Sequence, residues 1–198
     1  MKCWVLFAVA LLLLPGCLGN DYPTQAFERE NGFIMPESGL AYKAEYVVDE
    51  NGQQSTKTVW RSKDKMRIRH DFGESALDLY FLKDRAYSCF SGSKVECFDI
   101  TPLANETMKK ALIEIPRLAD STPVEDVNIG KTDGKCYTAV LPSSITRKFC
   151  LTNNGILAYD EYPLGKVKHI EYATGISYLI DETAFRLPAT PKEMPVYS

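Results

Sequence analysis

The sequence lacks the excess of positive charge that is typical of proteins that bind nucleic acids. Its 198 residues include 23 basic and 26 acidic side chains, so the formal net charge is only −3. Neutralising DNA or RNA phosphates requires a concentrated positive potential, which this near balance does not supply. We therefore expect no nucleic-acid partner. A hydrophobic fraction of 45% fits one globular domain with additional terminal segments.

The sequence also lacks the motifs of common enzyme classes. It contains no Gly-x-Ser-x-Gly, no His-Glu-x-x-His, no phosphate-binding loop and no dinucleotide fingerprint. Of its two histidines, His70 lies between Ile68 and Phe72 at strand spacing, where a dry environment could shift its pKa. A hydrogen-bonded core histidine is the more ordinary interpretation, and His169 could be a solvated side chain. We expect no catalytic residues, no bound metal and no cofactor.

No apolar run at the start of the chain is long enough to span a bilayer. The run from Trp4 to Leu14 has about ten residues, whereas a transmembrane helix needs roughly 20. Lys2 precedes this run, and small residues follow it. A short apolar segment with these flanks is typical of a secretory signal peptide. We predict that residues 1–16 are such a signal and are removed on export.

The end of this segment resembles the lipobox of prokaryotic lipoproteins. In Leu14-Pro15-Gly16-Cys17, small residues precede a cysteine whose thiol would carry diacylglycerol. Each buried CH₂ of a lipid chain contributes about 0.8 kcal/mol, and two chains anchor a protein stably. We predict that Cys17 is lipidated and holds the protein on the extracytoplasmic face of a cell membrane, with residues 17–38 as a tether. An ordinary signal peptide with an incidental cysteine is the alternative.

Alternating apolar and polar residues predict β-strands in a domain that spans residues 39–188. Five apolar residues share one face of the first strand: Leu40, Tyr42, Ala44, Tyr46 and Val48. Asn51-Gly52 then gives a strong hairpin signal. The alternation continues through Met66–Phe72 and Leu77–Phe81, with Asp78 and Tyr80 facing away. This pattern predicts an antiparallel sheet with one dry face and one wet face.

The hydrophobic period changes after Asp99. Thr101-Pro102 can begin a helix, and apolar residues follow at helical spacing: Leu103, Met108, Ala111, Leu112 and Ile115. Their narrow stripe needs burial, and the dry face of the sheet is its natural place. We therefore predict an α+β fold in which a helical insertion covers the concave face of the sheet. A Pro-rich tail over residues 189–198 is expected to be loose.

The cysteines predict two disulfides. Cys3 leaves with the signal and Cys17 carries the lipid, so four remain: Cys89, Cys97, Cys136 and Cys150. An even number in an exported chain indicates disulfides. Turn residues midway between successive cysteines predict hairpins, so Cys89 should face Cys97 and Cys136 should face Cys150. Facing Cα atoms lie about 4.5 or 5.5 Å apart, which suits a disulfide. A zinc site is the alternative, but the sequence has no Cys-x-x-Cys spacing.

The order of these elements resembles the LolA-like family of lipoprotein carriers. The resemblance covers residues 39–188, and its most similar segments are Arg147-Lys148-Phe149-Cys150, Gly155-Ile156-Leu157-Ala158-Tyr159 and Phe185-Arg186-Leu187-Pro188. It implies a strongly curved antiparallel sheet, an incomplete barrel, covered by helices, with acyl chains or a lipoprotein held between the two layers. The lipobox and the disulfides fit the anchored members of this family. No residue matches the carrier's cargo-binding arginine.

Two functions follow from these patterns. In the first, a non-catalytic lipoprotein binds an apolar ligand, such as a lipid acyl chain, between sheet and helix. Its predicted lining is Tyr42, Tyr46, Trp60, Ile68, Leu79, Phe81, Met108 and Leu112, although these residues would also suit a filled core. In the second, the core is closed and the domain is a protein-interaction or envelope-sensing module with an envelope protein as its partner. A ligand pocket would require a cavity of about 300 Å³ or more.

Overall fold

The computed structural model describes residues 40–104, 121–125, 127–129, 132–141 and 144–194. These residues form thirteen β-strands and a 3₁₀ turn at Glu182–Phe185. The strands are β1 Tyr42–Glu50, β2 Gln53–Ser62, β3 Lys65–Asp71, β4 Ala76–Leu82, β5 Arg85–Ser91, β6 Val95–Asp99, β7 Ser121–Pro123, β8 Val127–Ile129, β9 Thr132–Val140, β10 Thr146–Leu151, β11 Leu157–Leu164, β12 Val167–Ser177 and β13 Pro191–Glu193.

The predicted α+β fold with a helical insertion is wrong, because the described residues are nearly all β. The start of the predicted helix is a turn, in which the Leu103 and Ala104 amides both donate to the Ile100 carbonyl at 2.9 Å. The rest of that segment lies in residues 105–120, outside the described ranges. Its helical spacing covers only about three turns, and so short a segment is marginal as a helix without tertiary packing. Spacing alone could not establish a helical layer.

Two antiparallel meanders form the sheet. One contains β1 to β6 and the other β9 to β12, and the strand order is β13-β6-β5-β4-β3-β2-β1-β12-β11-β10-β9-β7, with β8 paired to β9 outside this path. The meanders meet where β1 pairs with β12, a junction that we call the seam. Its register places Glu50 opposite His169, and a bulge follows Glu45. The seam thus joins segments from opposite ends of the domain.

The first hairpin has the turn that the sequence predicts. Asn51 and Gly52 have positive φ values of 56° and 86°, as the tight turns between twisted strands require. The Asp49 side chain also accepts a hydrogen bond from the Gly52 amide at 2.7 Å. These local interactions fix the register of β1 with β2.

Both predicted disulfides are confirmed. Cys89 faces Cys97 across β5 and β6, with Cα atoms 4.0 Å apart. Cys136 faces Cys150 across β9 and β10, with Cα atoms 3.9 Å apart. Because directly paired residues share a face of the sheet, all four cysteines lie on one face, which we call the back face. The opposite face, which carries Tyr42, Ala44, Tyr46 and Val48, is the front face.

The expectation of one dry and one wet face is wrong. Asp78 and Tyr80 point to the back face as predicted, but each is only 1% exposed. The chain that follows the 3₁₀ turn covers this face, with Leu187 and Ala189 packed on Tyr80 and on the Cys89–Cys97 disulfide. The covering segment lies about a hundred residues further along the chain, so the alternation of residues in β4 could not predict that this face would be buried.

The C-terminal tail also needs correction. Residues from Ala189 onward were expected to be loose, but Pro191–Glu193 form β13, which pairs in parallel with β6. Lys192 Nζ lies 2.9 Å from Glu96 Oε1 across this pairing. The Pro-rich composition predicted a loose tail because prolines disfavour central strands, whereas an edge strand tolerates them. Residues 195–198 lie outside the described ranges.

Candidate functional site

The front face has an apolar half and a charged half. The apolar half is a buried cluster on β3, β4, β5 and the residue after β6: Met66, Ile68, Phe81, Ala86 and Ile100. The charged half lies on β1, β2 and β10 to β12: Glu50, Lys57, Arg147, Asp160, His169 and Glu171. Charged side chains rarely take inward strand positions unless they are paired, so the charged half is the more informative feature.

Glu171 is central to the charged half. Its carboxylate forms an ion pair with Lys57 of β2 across the seam, and its Oε2 lies 3.8 Å from His169 Nε2. Burial acts to raise the pKa of this carboxyl group, but Lys57 and His169 outweigh burial and lower it. Glu171 therefore stays ionised inside the protein because its two partners compensate its charge.

His169 contacts carboxylates on both sides. Its Nδ1 lies 3.2 Å from Glu50 Oε1, and its ring stacks on Tyr162 with 4.7 Å between centroids. Glu171 and then Glu50 outweigh burial and raise the pKa of the imidazole. The structure thus buries His169, which the sequence suggested could be solvated, in a cluster where its charge is favoured.

Arg147 and Asp160 form a bidentate pair beside this cluster. Arg147 Nε donates to Asp160 Oδ1 and Nη2 donates to Oδ2, both at 2.7 Å. The guanidinium group also lies over the Tyr162 ring, 5.4 Å from its centroid. Burial still raises the pKa of Asp160, although Arg147 acts in the opposite direction. This pair extends the charged half to β10.

His70 lies on the front face of β3, directly opposite Lys57. Burial and then the Lys57 charge lower the pKa of its imidazole. The ring stacks with that of Phe72, with 6.0 Å between centroids. The two histidines therefore lie on one face but in opposite electrostatic environments.

Two large aromatic side chains are exposed at the edge of the front face. Phe72 is 59% exposed and Phe90 is 52% exposed. Leu77 pairs with both His70 and Phe90, so these residues share one row across β3, β4 and β5. We call Phe72, Leu77 and Phe90 the aromatic rim. Exposed apolar clusters of this kind often mark interaction sites.

Most of the predicted ligand lining lies on the front face. Tyr42, Tyr46, Ile68, Leu79 and Phe81 are placed there by the register, and the Tyr46 hydroxyl donates to the Leu157 carbonyl at 3.1 Å.

Trp60 is the exception. It lies on the back face, where the Arg67 guanidinium is 4.5 Å from its ring centroid. Strand β2 is polar on both sides, so the alternation could not identify its dry side. Met108 and Leu112 are outside the described residues.

One cavity borders the front face, and a larger one lies mainly on the back face, where Lys148 and Glu161 stand in phase with Cys150 and Tyr159. The front-face cavity has a volume of about 240 Å³. It is lined by Phe81 and Met66 together with four cationic side chains, those of Arg61, Lys63, Lys65 and Lys83. The larger cavity has a volume of about 510 Å³ and lies at the β11–β12 turn. Its lining includes Lys148, Glu161, Tyr162 and Lys168. The larger cavity meets the volume expected of a ligand site, but none of the predicted lining residues contributes to it.

The part of the chain that the structure describes contains no group of three or more His, Cys, Asp or Glu side chains that could hold a metal ion. No helix within those same ranges is long and apolar enough to cross a membrane.

The sequence did not predict the charged half. Asp160 follows Ala158 at an inward position of β11, and Glu171 precedes Ala173 on β12. The available signal was a charged residue two positions away from a small apolar residue on the same face of a strand, which indicates an inward-facing charge. This signal is weak, because an isolated strand gives no indication of which neighbours will bury a charged residue.

Comparisons with known proteins give a likeness of fold alone. No protein-family model and no curated protein matches the chain. The crystal structure of MucB in complex with MucA(peri) matches with a TM-score of 0.51 and 15% identity, over 75% of this chain and 54% of that one. MucB alone matches with a TM-score of 0.50 and 14% identity, over 77% and 58%. The Pseudomonas aeruginosa MucA/MucB complex matches with a TM-score of 0.51 and 16% identity, over 74% and 55%.

The chain therefore spans little more than half the length of these solved structures. The likeness is consistent with the LolA-like fold that the sequence resembles, as far as the antiparallel sheet is concerned.

Proposed function

We propose that this chain is an extracytoplasmic protein-interaction module that takes part in envelope sensing. The observation that carries the proposal is the likeness of fold to MucB, which has been crystallised with a protein partner, MucA. That partnership belongs to MucB. For this chain we propose only the same general kind of interaction, in which a β-sheet domain binds a segment of another envelope protein.

The aromatic rim supports this proposal as the docking surface. Phe72 and Phe90 expose more than half of their surface, although the neighbouring front-face positions Ile68 and Phe81 are buried. Aromatic side chains are enriched among the residues that dominate binding energy at protein interfaces. An exposed pair of rings beside a packed core thus offers an anchor point without any opening of the core.

Lipid binding is the second candidate, and the apolar half of the front face favours it. Against it, Tyr42, Tyr46 and Phe81 of the predicted lining are each at most 5% exposed. They are packed as a core is packed, and the cavity beside Phe81 and Met66 has only about 240 Å³ and four cationic side chains on its wall. The described residues therefore support the closed core of the protein-interaction module better.

Export and anchoring complete the proposal. The two disulfides fit an oxidising compartment, and the signal pattern of residues 1–16 with the lipobox cysteine supports a lipid anchor. The protein would then act on the outer side of the membrane that holds it.

Changing Cys17 to serine should release the protein from the membrane. Serine cannot carry diacylglycerol as a thioether, so the variant should partition into the aqueous phase on detergent phase separation, whereas the wild type enters the detergent phase. A Cys3→Ser variant is the matched control, because that cysteine lies within the predicted signal and should leave partitioning unchanged. A Cys17→Ser protein that stays with salt-washed membranes would contradict the lipid anchor.

A photo-crosslinking amino acid at position 90 should capture a specific protein in cells that export this chain. Position 178 is the matched control, because Tyr178 is 50% exposed against 52% for Phe90 but lies beyond the end of β12. We expect a discrete protein adduct from position 90 alone. Adding Phe72→Ser to the protein with the crosslinker at position 90 should reduce this adduct about tenfold, which corresponds to a loss of about 1.4 kcal/mol for one aromatic anchor.

The opposite outcomes are equally defined. Identical adducts from positions 90 and 178, or no protein adduct from position 90, would remove the rim as a docking surface. If the purified, delipidated protein bound a fluorescent fatty acid at micromolar concentration, the lipid-binding candidate would replace the protein-interaction module.

A further inference from the structure

The seam between β1 and β12 is crossed by two ionic contacts, one of them largely buried and the other half exposed on its carboxylate side. Lys57 on β2 pairs with Glu171 on β12, and Glu50 on β1 contacts His169 on β12. These contacts link the two meanders, which the chain itself connects through residues 100–131 and again through the segment from β12 to β13. Two further side-chain hydrogen bonds cross the seam, because the Lys168 amide donates to Asn51 Oδ1 at 3.1 Å and the Thr174 hydroxyl donates to the Glu45 carbonyl at 3.2 Å.

The charge of this cluster depends on His169. Its permanent cations are Lys57 and Arg147, and its carboxylates are Glu50, Asp160 and Glu171. Three carboxylates against two cations leave a net charge of −1, whereas a protonated His169 makes three against three. The side chains of Glu171 and Asp160 are 6% and 5% exposed, so water compensates little of their charge, whereas the Glu50 side chain is 48% exposed and is partly screened by solvent.

We propose that the seam is a proton-operated joint, in which protonated His169 bridges Glu50 of β1 and Glu171 of β12 and holds the two meanders together. When the imidazole loses its proton, two carboxylates face each other across a neutral ring, and the seam weakens. This device requires no partner and is independent of the proposed docking surface.

The carboxylates around His169 favour its protonated form. Carboxylates approach it from β1, from β11 and from its own strand, namely Glu50, Asp160 and Glu171. The opposing cations are Lys57 on β2 and Arg147 on β10, and each of these already pairs with a carboxylate. Tyr162 of β11 contributes a stacked ring, and His70 of β3 stands beyond Lys57.

The sign of the pH dependence follows from the two histidines, which are the only ones in the sequence. The pKa of His169 is raised, so its stabilisation is complete below the ordinary value of about 6.5 and is lost as pH rises through the raised folded value. The pKa of His70 is lowered, mainly by burial, so stability falls as pH drops below about 6.5. The domain should therefore be most stable near pH 6.5 and should loosen at alkaline pH through the seam.

The test is urea unfolding of the mature full chain between pH 6 and 9. The unfolding equilibrium constant of the wild type should rise severalfold across this range, with a limit of tenfold per unit by which the folded pKa exceeds the unfolded one. His169→Gln should abolish the rise, because glutamine keeps hydrogen-bonding capacity but does not titrate. His70→Gln, the matched control, should keep it.

Three outcomes would overturn the proposal. The first is a His169→Gln protein that retains the wild-type rise. The second is an NMR titration of the wild type in which the imidazole of His169 titrates below that of His70, and this test remains decisive if the variant fails to fold. Hydrogen exchange should localise the effect. The amides of β1 and β12 should lose protection at pH 9 relative to those of β4 and β5, after correction for intrinsic exchange, and uniform loss would also contradict a joint at the seam.

Discussion

Replacing Asp78 by alanine should lower the free energy of unfolding by about 3 kcal/mol, because removing one partner from a buried ion pair leaves an uncompensated charge. Asp78 is 1% exposed on the back face and binds two arginines. Arg67 Nε donates to its Oδ1 at 2.7 Å, and Arg69 Nη1 donates to its Oδ2 at 3.0 Å. In the variant, Arg69 would keep an ion pair with Asp71. Arg67 would keep the neutral Ala184 carbonyl as an acceptor at 3.0 Å, so most of the lost stability should come from the uncompensated charge of Arg67.

Urea unfolding followed by circular dichroism would measure this loss. Asp78→Asn separates charge from volume, because it keeps the shape but should still destabilise strongly. Asp71→Ala removes an exposed carboxylate from the same Arg69 and should have a much smaller effect, since exposed pairs contribute little. If Asp78→Ala were no more harmful than Asp71→Ala, the buried pair would not stabilise the back face as the geometry indicates.

Removing the Cys136–Cys150 disulfide should cost about 3 kcal/mol in the chain-entropy account, because the bond closes a loop of about 15 residues in the unfolded chain. The two cysteines are 14 positions apart, whereas Cys89 and Cys97 are 8 apart. The double variant Cys136→Ala, Cys150→Ala should therefore lose about 0.5 kcal/mol more than Cys89→Ala, Cys97→Ala.

The measurement is again urea unfolding, paired with non-reducing peptide mapping of the wild type. Mapping should find each cysteine joined to the partner across its own hairpin. A fully reduced wild type with an unchanged unfolding midpoint would contradict a stabilising role for both bonds. Crossed pairing would contradict the registers of β5 with β6 and of β9 with β10.

The sequence predicted those features that depend on neighbouring residues. Period-two alternation located β1, β3 and β4, because each strand alternates its side chains between two faces. Asn51-Gly52 marked a turn whose positive φ values few other residue pairs accept. The disulfides were predictable for the same reason, since each joins facing positions of one hairpin.

Features that depend on distant segments were not predictable. Glu50 and His169 are 119 residues apart, so no local pattern indicates that β1 and β12 pair or that a charged cluster forms between them. The cover over Tyr80 comes from Leu187 and Ala189, and it turned an expected wet face into a dry one. The prediction of a helical layer was wrong for a related reason. A short stripe of apolar residues becomes a helix only if packing favours it, and a sequence read alone does not contain that information.

The two ends of the sheet bear on how the protein behaves at high concentration. An open sheet exposes unpaired backbone groups along its outer strands, and these can template pairing with a second molecule. Here the outermost strands of the main path, β7 and β13, have only three residues each. Each also contains a proline, Pro123 in β7 and Pro191 in β13, which lacks the amide that a further strand would need. Aggregation through the sheet edges is thereby disfavoured, even where many copies crowd together on one surface.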